Sequence, residues 1–534
     1  MSSTVLPSPV PILPPTALAA EEDKYRHKYL IAIAVTLAAV LELIDTSIVN
    51  VAIPHMMGNL GATVDEITWV SVGYIVANVI IIPMSGWLSA YFGRTRYLTT
   101  SILLFVAASF FCGASTSLGM LVTWRVIQGI GGGALLSTAQ STLFEAFPPQ
   151  EIAVGQAMFG IGVMVGPTIG PTLGGWITDN FNWPWIFYIN VPLGIVAAIM
   201  VASYVRDSEH QEKATTIDGT GIFLLAACIG SLQWMLERGE RYDWFESRFI
   251  VALAVTCVVS GILLIWRELT IDEPIINFRI LKSRQLAVGV MFAAALGLSL
   301  YGGIFVLPIF LQQLHGLSAE QTGFLLLPGA LSSAFVMAGM SRMRGRLDAR
   351  YTITLGAFGF LGSMWLLSRL TLQSGTDELY WPLILRGLAL GLIFVPLSNA
   401  AMADVHARDL AQATGLFNLM RQLGGSLGIA IMATLLGRIT ATQRAILTEH
   451  VGATDPLTLE RLDMLTRGAM AHGAPYLQAK AQAVAILSQQ LGAQASVIAF
   501  ARLYLLNGLL LVCALPLLLI WRTGRARGAV PPMH

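Results

Sequence analysis

Fourteen long apolar runs punctuate this chain, near 30–53, 67–89, 98–116, 119–143, 153–177, 186–205, 217–236, 248–266, 286–312, 321–341, 351–371, 380–403, 412–437 and 499–521, with short polar turns between most of them. The hydrocarbon core of a bilayer is about 30 Å thick, and a helix needs about 20 apolar residues to cross it. Inside lipid only helices and closed barrels satisfy every backbone group. The alternating pattern of barrel strands is absent. The pattern therefore predicts an all-α polytopic membrane protein with fourteen transmembrane helices.

The polar ends set the expected orientation. Residues 1–28 are Pro-rich and polar and end in Lys24, Arg26 and Lys28. The apolar run behind them is too long for a signal-peptide core and lacks a clear small-residue cleavage site, so it reads as an uncleaved first helix behind a cytoplasmic tail. Residues 522–534 read as a second cytoplasmic tail. With the N-terminus inside, cytoplasmic segments would hold 19 Lys and Arg and the short outer loops 4. That asymmetry places both termini in the cytoplasm.

Composition narrows the class. Hydrophobic residues make up 55% of the 534 and charged residues 12%, against about 25% charged in soluble domains. The near balance of 32 Lys and Arg with 31 Asp and Glu gives no basic surface for nucleic acid. Cys112, Cys228, Cys257 and Cys513 all lie in apolar runs and read as small core hydrophobes, not as metal ligands.

Polar landmarks recur along the chain. Arg125 lies early in the fourth run and Arg386 early in the twelfth; Gly155 follows the first by 30 residues and Gly415 follows the second by 29. The basic loop Gly93 to Arg96 follows the second run, and Arg342 to Arg350 follows the tenth. A six-helix half, 29–205, thus matches a second half, 286–521, with two helices inserted at 217–266. Parallel halves of this kind hold substrate between them near the midplane. Segment 438–498 is long and polar, with helical periodicity at Leu457, Leu459, Leu462, Leu465 and later Val484, Leu487 and Leu491, and would lie outside, as a docking surface or a solvated loop.

Charges inside spans are functional hypotheses by default. Glu42 and Asp45 lie three apart on one helix face. A rise of 1.5 Å per residue puts Asp45 roughly 8 Å and Arg125 roughly 9 Å from the outer membrane edge. At equal depth they form either a static ion pair or a pair whose making and breaking moves a proton. Gly162, Gly166, Gly170 and Gly174 form a stripe every four residues beside Pro167 and Pro171, suited to close or sliding helix contact. Arg421 falls near the midplane of its span, too deep to reach the interface, and is expected to face a central cavity. Gln128, Gln140, Tyr301, Asn399, Asn418 and Gln422 are candidate cavity-lining residues, or else satisfy neighbouring helices. No lysine follows a glycine, which excludes a Walker A nucleotide site, and no catalytic motif is present.

These residues carry a family resemblance. Gly86-Trp87-Leu88-Ser89-Ala90-Tyr91-Phe92-Gly93-Arg94 resembles the GxLaDrxGr loop motif of the major facilitator superfamily, and Arg125-Val126-Ile127-Gln128-Gly129 its fourth-helix motif. Gly166 through Gly170-Pro171-Thr172-Leu173-Gly174-Gly175 resembles its fifth-helix antiporter motif. Leu43 to Pro54, Trp185-Ile186-Phe187, Asn190, Pro192 and Asp243-Trp244-Phe245 extend the likeness to the fourteen-span drug/proton antiporters of the EmrB/QacA group, EmrB-like pumps in particular.

The resemblance implies the major facilitator fold and proton-driven export of hydrophobic compounds across a bacterial inner membrane, without a cofactor or metal. It also implies a periplasmic membrane-fusion adaptor and an outer-membrane channel as partners, Asp45 and Arg125 as the coupling pair, and the antiporter motif as a seal. Two positions depart from the pattern. Ala90 replaces the loop-motif Asp, so a charge lock there must rest on Arg94 or another acid. Glu42 stands where an uncharged polar residue is expected, as a second proton site or a mark of cationic substrates. The alternatives are a dedicated exporter of one amphipathic metabolite, such as a fatty acid or siderophore, and a non-transporting receptor or scaffold.

Overall fold

A computed structural model describes residues 25–208, 214–343, 348–452 and 455–521. The expected tails, 25–28 apart, lie outside the described residues, as do positions 344–347 of the basic loop.

Every regular element among the described residues is helical. The first half comprises α1 (Lys28–Leu60), α2 (Trp69–Phe92), α3 (Arg94–Gly113), α4 in two pieces (Leu118–Gly132 and Leu135–Ala146), α5 (Ile152–Asn180) and α6 (Asn190–Tyr204). Then come the inserted α7 (Gly219–Arg238) and α8 (Arg248–Thr270). The second half comprises α9 (Arg284–Leu314), α10 (Ala319–Arg342), α11 (Ala349–Leu367), α12 (Thr376–Met402), α13 (Leu410–Glu449) and α14 (Tyr476–Cys513).

Twelve helical stretches among the described residues are long and apolar enough to cross a membrane. The other two of the fourteen expected runs are α4 and α11. In α4 the helix breaks at Gly133 and Ala134, just after Gly131 and Gly132, and a Cβ at Gly133 would meet the Asn78 carbonyl oxygen of α2 at 2.5 Å. α11 opens with Arg350 and Tyr351, which dilute a 19-residue helix.

Local signals set the helix ends. Ser117, Ser283 and Asp348 accept backbone N–H bonds at the starts of α4, α9 and α11, and Ser318 with Gln321 forms a capping box on α10. These bonds satisfy N–H groups that the helix leaves free. The apolar surface points outward: Phe335 is 80% and Ile262 63% exposed, as a lipid-facing belt requires and an aqueous one forbids. α8 buries only 17% of its most apolar stretch, which puts it at the bundle periphery.

The described residues of segment 438–498 are mostly helical, against the solvated-loop alternative. α13 runs on to Glu449, a separate helix spans Pro456–Ala471, and α14 starts at Tyr476. The polar stretch is thus mostly helical extension beyond the apolar spans, and the periodicity at Leu457, Leu459, Leu462 and Leu465 belongs to the intervening helix.

The glycine stripe of α5 lies on α1. A Cβ at Gly166 would reach the Leu43 side chain at 3.0 Å, and one at Gly170 would collide with Ser47 Oγ. The other side of α5 meets the second half, where a Cβ at Gly160 would touch Met337 of α10 at 2.9 Å and Phe394 of α12 at 3.0 Å. α5 is therefore a seam between halves. α2 approaches α13 near the Gly93 end, where a Cβ at Gly86 would strike the Gln412 backbone at 2.9 Å.

The inserted α7 bridges the halves toward the opposite end. Arg238 donates to the Asp65 carbonyl oxygen at 3.1 Å and lies over the Trp69 ring, while Gln233 donates to Ser426 Oγ at 2.8 Å. Just beyond it, Trp244 donates to Thr434 Oγ1 at 3.1 Å.

Candidate functional site

Asp45 is fully buried in α1 and draws three donors from two helices. Arg125 Nη1 of α4 donates to Oδ2 at 2.5 Å, Gln128 Nε2 to Oδ1 at 2.9 Å, and Asn190 Nδ2 of α6 to Oδ1 at 2.9 Å. Arg125 sits four residues N-terminal of Gly129, where a Cβ would strike the Tyr74 carbonyl oxygen, so α4 approaches α2 closely here. The guanidinium then reaches the Val70 carbonyl oxygen at 3.0 Å and stacks over the Tyr74 ring at 4.1 Å. A charge pair this dry survives only when its remaining donors and acceptors are also met. Arg125 Nη1 also donates to Gln128 Oε1 at 2.7 Å, and Asn190 links onward to Ser109 Oγ at 3.1 Å.

Gln128, expected to line a cavity, is thus part of the Asp45 cluster. Cys112 is buried with its Sγ 3.7 Å from Gln128 Oε1, whereas Cys228 and Cys257 are half-buried and Cys513 is exposed, so only Cys112 matches the core reading.

Glu42 stands one turn away, 6% exposed. Asn78 Nδ2 of α2 donates to its Oε1 at 2.9 Å, and Oε2 has no partner. Arg421 of α13 is within electrostatic reach of Glu42. Its guanidinium is fully buried over the Phe394 ring at 5.7 Å, and none of its three nitrogens has a hydrogen-bond partner. The expected central cavity is closed around it.

A second polar knot joins the halves. Asn418 Nδ2 of α13 donates to Gln140 Oε1 at 2.6 Å; Gln140 Nε2 donates to Ser398 Oγ of α12 at 3.0 Å; Ser398 Oγ donates to Gln156 Oε1 of α5 at 3.0 Å. All four residues are buried. The expected cavity residues Gln140 and Asn418 therefore lie in a closed contact. Tyr301, Asn399 and Gln422 are half-buried. Tyr301 lies against Gly425, and Asn399 Oδ1 has no partner.

At the Gly93 loop the missing acid at Ala90 is replaced from elsewhere. Arg94, 3% exposed, pairs in fork geometry with Glu145 of α4 at 2.6 and 2.8 Å, and Asp207 Oδ1 accepts the Thr95 N–H at 2.9 Å. Gly93 itself takes φ +86°, a conformation that a side chain disfavours.

Asn78, Gln156, Asn190 and Ser398 were not singled out as site residues from the sequence. For Asn78, Gln156 and Ser398 the only signal is an uncharged polar residue in an apolar run, whereas Asn190 was already among the residues that carry the family resemblance. No cluster of three or more His, Cys, Asp and Glu able to hold a metal occurs among the described residues.

The sequence profile of the Major Facilitator Superfamily matches residues 35–429. The chain belongs to this superfamily. It is accordingly a multi-pass membrane transporter and not an enzyme. The chain is 36% identical over 429 residues to the multidrug export protein EmrB of Escherichia coli, covering 80% of this chain and 84% of the relative. It is 30% identical over 506 residues to the fatty acid resistance protein FarB of Neisseria gonorrhoeae, covering 94% and 96%. The colistin resistance protein EmrB of Acinetobacter baumannii is 29% identical over 427 residues, covering 80% and 83%. Among solved structures, the human organic anion transporter TETRAN aligns with a TM-score of 0.57 at 13% identity, covering 91% of this chain and 99% of that one, which supports the fold of this major facilitator protein.

Proposed function

We propose that this chain is a proton-coupled exporter of hydrophobic drugs and toxic compounds in a bacterial inner membrane, with both termini cytoplasmic. The multidrug part of the reading is supported by its likeness to EmrB over most of both chains. The single observation that carries the coupling is the buried Arg125–Asp45 pair with its converging donors from Gln128 and Asn190.

The chemistry follows from the geometry. Three donors aim at one carboxylate, so protonating Asp45 weakens all three contacts together and loosens α1 from α4 and α6. Losing the proton restores them. A proton thus changes helix packing, which is the coupling that an antiporter needs. In the state described, the Gln140–Asn418–Ser398–Gln156 knot and the α2–α13 approach hold the halves together at the Gly93 end, which faces the cytoplasm in this reading. Export requires that knot to open, with the glycine seam of α5 as the sliding surface. Glu42 Oε2 and the Arg421 guanidinium, one on each half and without partners, mark where polar parts of a substrate would sit. The domain plan is 29–205 and 286–521 as the moving halves, with 217–266 inserted. The helical segment 438–498 is the docking surface for a periplasmic adaptor and, through it, an outer-membrane channel.

The test is dye efflux from cells expressing the full chain, with and without a protonophore. Efflux that collapses with the proton gradient supports the reading, and efflux indifferent to it overturns the reading. A narrower reading, one dedicated amphiphile as substrate, is favoured by the end-to-end alignment with FarB. A resistance profile confined to long-chain acids would select it.

A further inference from the structure

The two halves repeat an arrangement with one part left out. In the first half, α4 supplies Arg125, α6 supplies Asn190, and α1 supplies the acid between them. The corresponding helices of the second half are α12, α14 and α9. α12 supplies Arg386 and α14 supplies Asn507, whose Nδ2 donates to the Ser299 carbonyl oxygen of α9 at 3.0 Å. Where the acid would stand, α9 carries glycine. A Cβ built at Gly303 would lie 3.1 Å from Asn507 Nδ2 and 4.0 Å from Arg386 Nη1.

The consequence is an arginine without an anion. Arg386 Nη1 is buried and hydrogen-bonds nothing. Tyr504 OH and Asn507 Oδ1, in the same cluster of α9, α12 and α14, are also buried and unpartnered. Arg386 lies six residues into the twelfth apolar run, roughly 9 Å along the helix, at the depth expected for its counterpart Arg125. Arg386 itself is half-buried, but its Nη1 is shut away without a partner. An unpaired cationic nitrogen inside a membrane span marks a functional site by default.

Room for it exists beside the guanidinium. A void of about 40 Å³ is lined by Arg386, Tyr301, Thr168 and Ser333, with Met164 and Leu300 among its apolar walls. Water needs about 10–15 Å³ measured this way, so the void takes a carboxylate group or a few waters but not a whole drug. Its walls come from α5 of the first half and α9, α10 and α12 of the second, so whatever binds there is sensed by both.

We infer that Arg386 and its void form an anion subsite that takes the carboxylate, or an equivalent singly charged head, of an amphipathic substrate. The apolar remainder of the molecule extends along the α5–α10 seam. The inference deepens the exporter reading and rests on it. Its test measures binding, so it can fail while proton-coupled export stands.

The experiment uses full-length protein in lipid nanodiscs and labelled decanoate, with decanol as the uncharged probe and chloride as the small anion. Arg386→Gln removes the cation and Arg386→Lys keeps it. Gly303→Asp supplies the missing acid from within, and should pair with Arg386 and raise the melting temperature. The expected result is a loss of decanoate affinity of about tenfold or more in Arg386→Gln and Gly303→Asp. Arg386→Lys should retain most of it, and decanol binding should be alike in all four proteins. Equal decanoate affinity in wild type, Arg386→Gln and Gly303→Asp would overturn the inference. So would parallel loss of decanol, or chloride protecting the protein as well as decanoate does. A melting temperature of Gly303→Asp at or above that of wild type separates loss of binding there from unfolding.

Discussion

Arg125 Nη1 lies 2.5 Å from Asp45 Oδ2, with both side chains shut away from solvent at 1% and 0% exposure. Breaking such a pair from one side leaves a bare charge in a dry site, at a cost of about 3–5 kcal/mol. Arg125→Met leaves a carboxylate that can take up a proton, whereas Asp45→Asn leaves a guanidinium that cannot lose one and turns an amide N–H toward donors from Arg125 or from Gln128 and Asn190. Both variants should therefore lower the melting temperature, and Asp45→Asn at least as much as Arg125→Met. Thermal melts of the two variants in detergent check this, and an Asp45→Asn protein as stable as wild type would contradict it.

The close approach of α5 to α1 makes a second expectation. A methyl group at Gly170 would run into Ser47 Oγ and lie 2.9 Å from Ser47 Cβ. Gly170→Ala should reduce transport without loss of membrane insertion, and adding Ser47→Gly should restore much of it. Drug efflux by the single and double variants measures the coupling. A double variant no better than Gly170→Ala would count against a packing cause.

The inter-half knot predicts a population shift. Gln140→Leu and Asn418→Leu each remove hydrogen bonds worth about 1 kcal/mol apiece, which changes an equilibrium by about fivefold. Spin labels at the exposed positions Arg96 and His406 should then show a larger fraction of long distances. An unchanged distance distribution would mean that the knot does not hold that end closed.

Outside the spans, hydrogen bonds from the hydroxyls and N–H groups of Thr215 and Thr216 hold the Glu273 carboxyl down to about 2. A lowered carboxyl contributes order above its unfolded value near 4.5, and that contribution is lost as pH falls through the folded value. Glu273→Gln should thus speed amide exchange at Thr215 and Thr216 at neutral pH, after correction for intrinsic rates. The wild type should converge on the variant near pH 2. Matching exchange at neutral pH would contradict the assignment.

The spans were legible because lipid demands long apolar runs, and Asp45 and Arg125 were legible because charge in such runs is rare. Depth arithmetic alone brought those two together. The partners Asn190 and Asn78 were harder to read, since uncharged polar residues in membrane helices serve as ordinary helix glue. Gln128 could line a cavity or satisfy a neighbouring helix, and its bond to Asp45 realises the second, because nothing in spacing tells which neighbour an amide meets. Ala90 announced a missing acid, yet its replacement, Glu145, lies 51 residues from Arg94 in sequence. Helices that leave the membrane lose the hydropathy signal, so segment 438–498 showed helical periodicity without showing that α13 and α14 run on into it. The break in α4 was masked in the same way, since Gly133 and Ala134 interrupt a helix without interrupting its apolar character.

The central claim is that Asp45 carries the coupled proton. Wild type, Asp45→Asn and Glu42→Gln in liposomes with an internal pH dye test it most directly. Drug-dependent proton flux is expected in wild type, lost in Asp45→Asn and retained in Glu42→Gln. Flux retained in Asp45→Asn would make the Arg125–Asp45 pair a structural tie and the coupling assignment wrong.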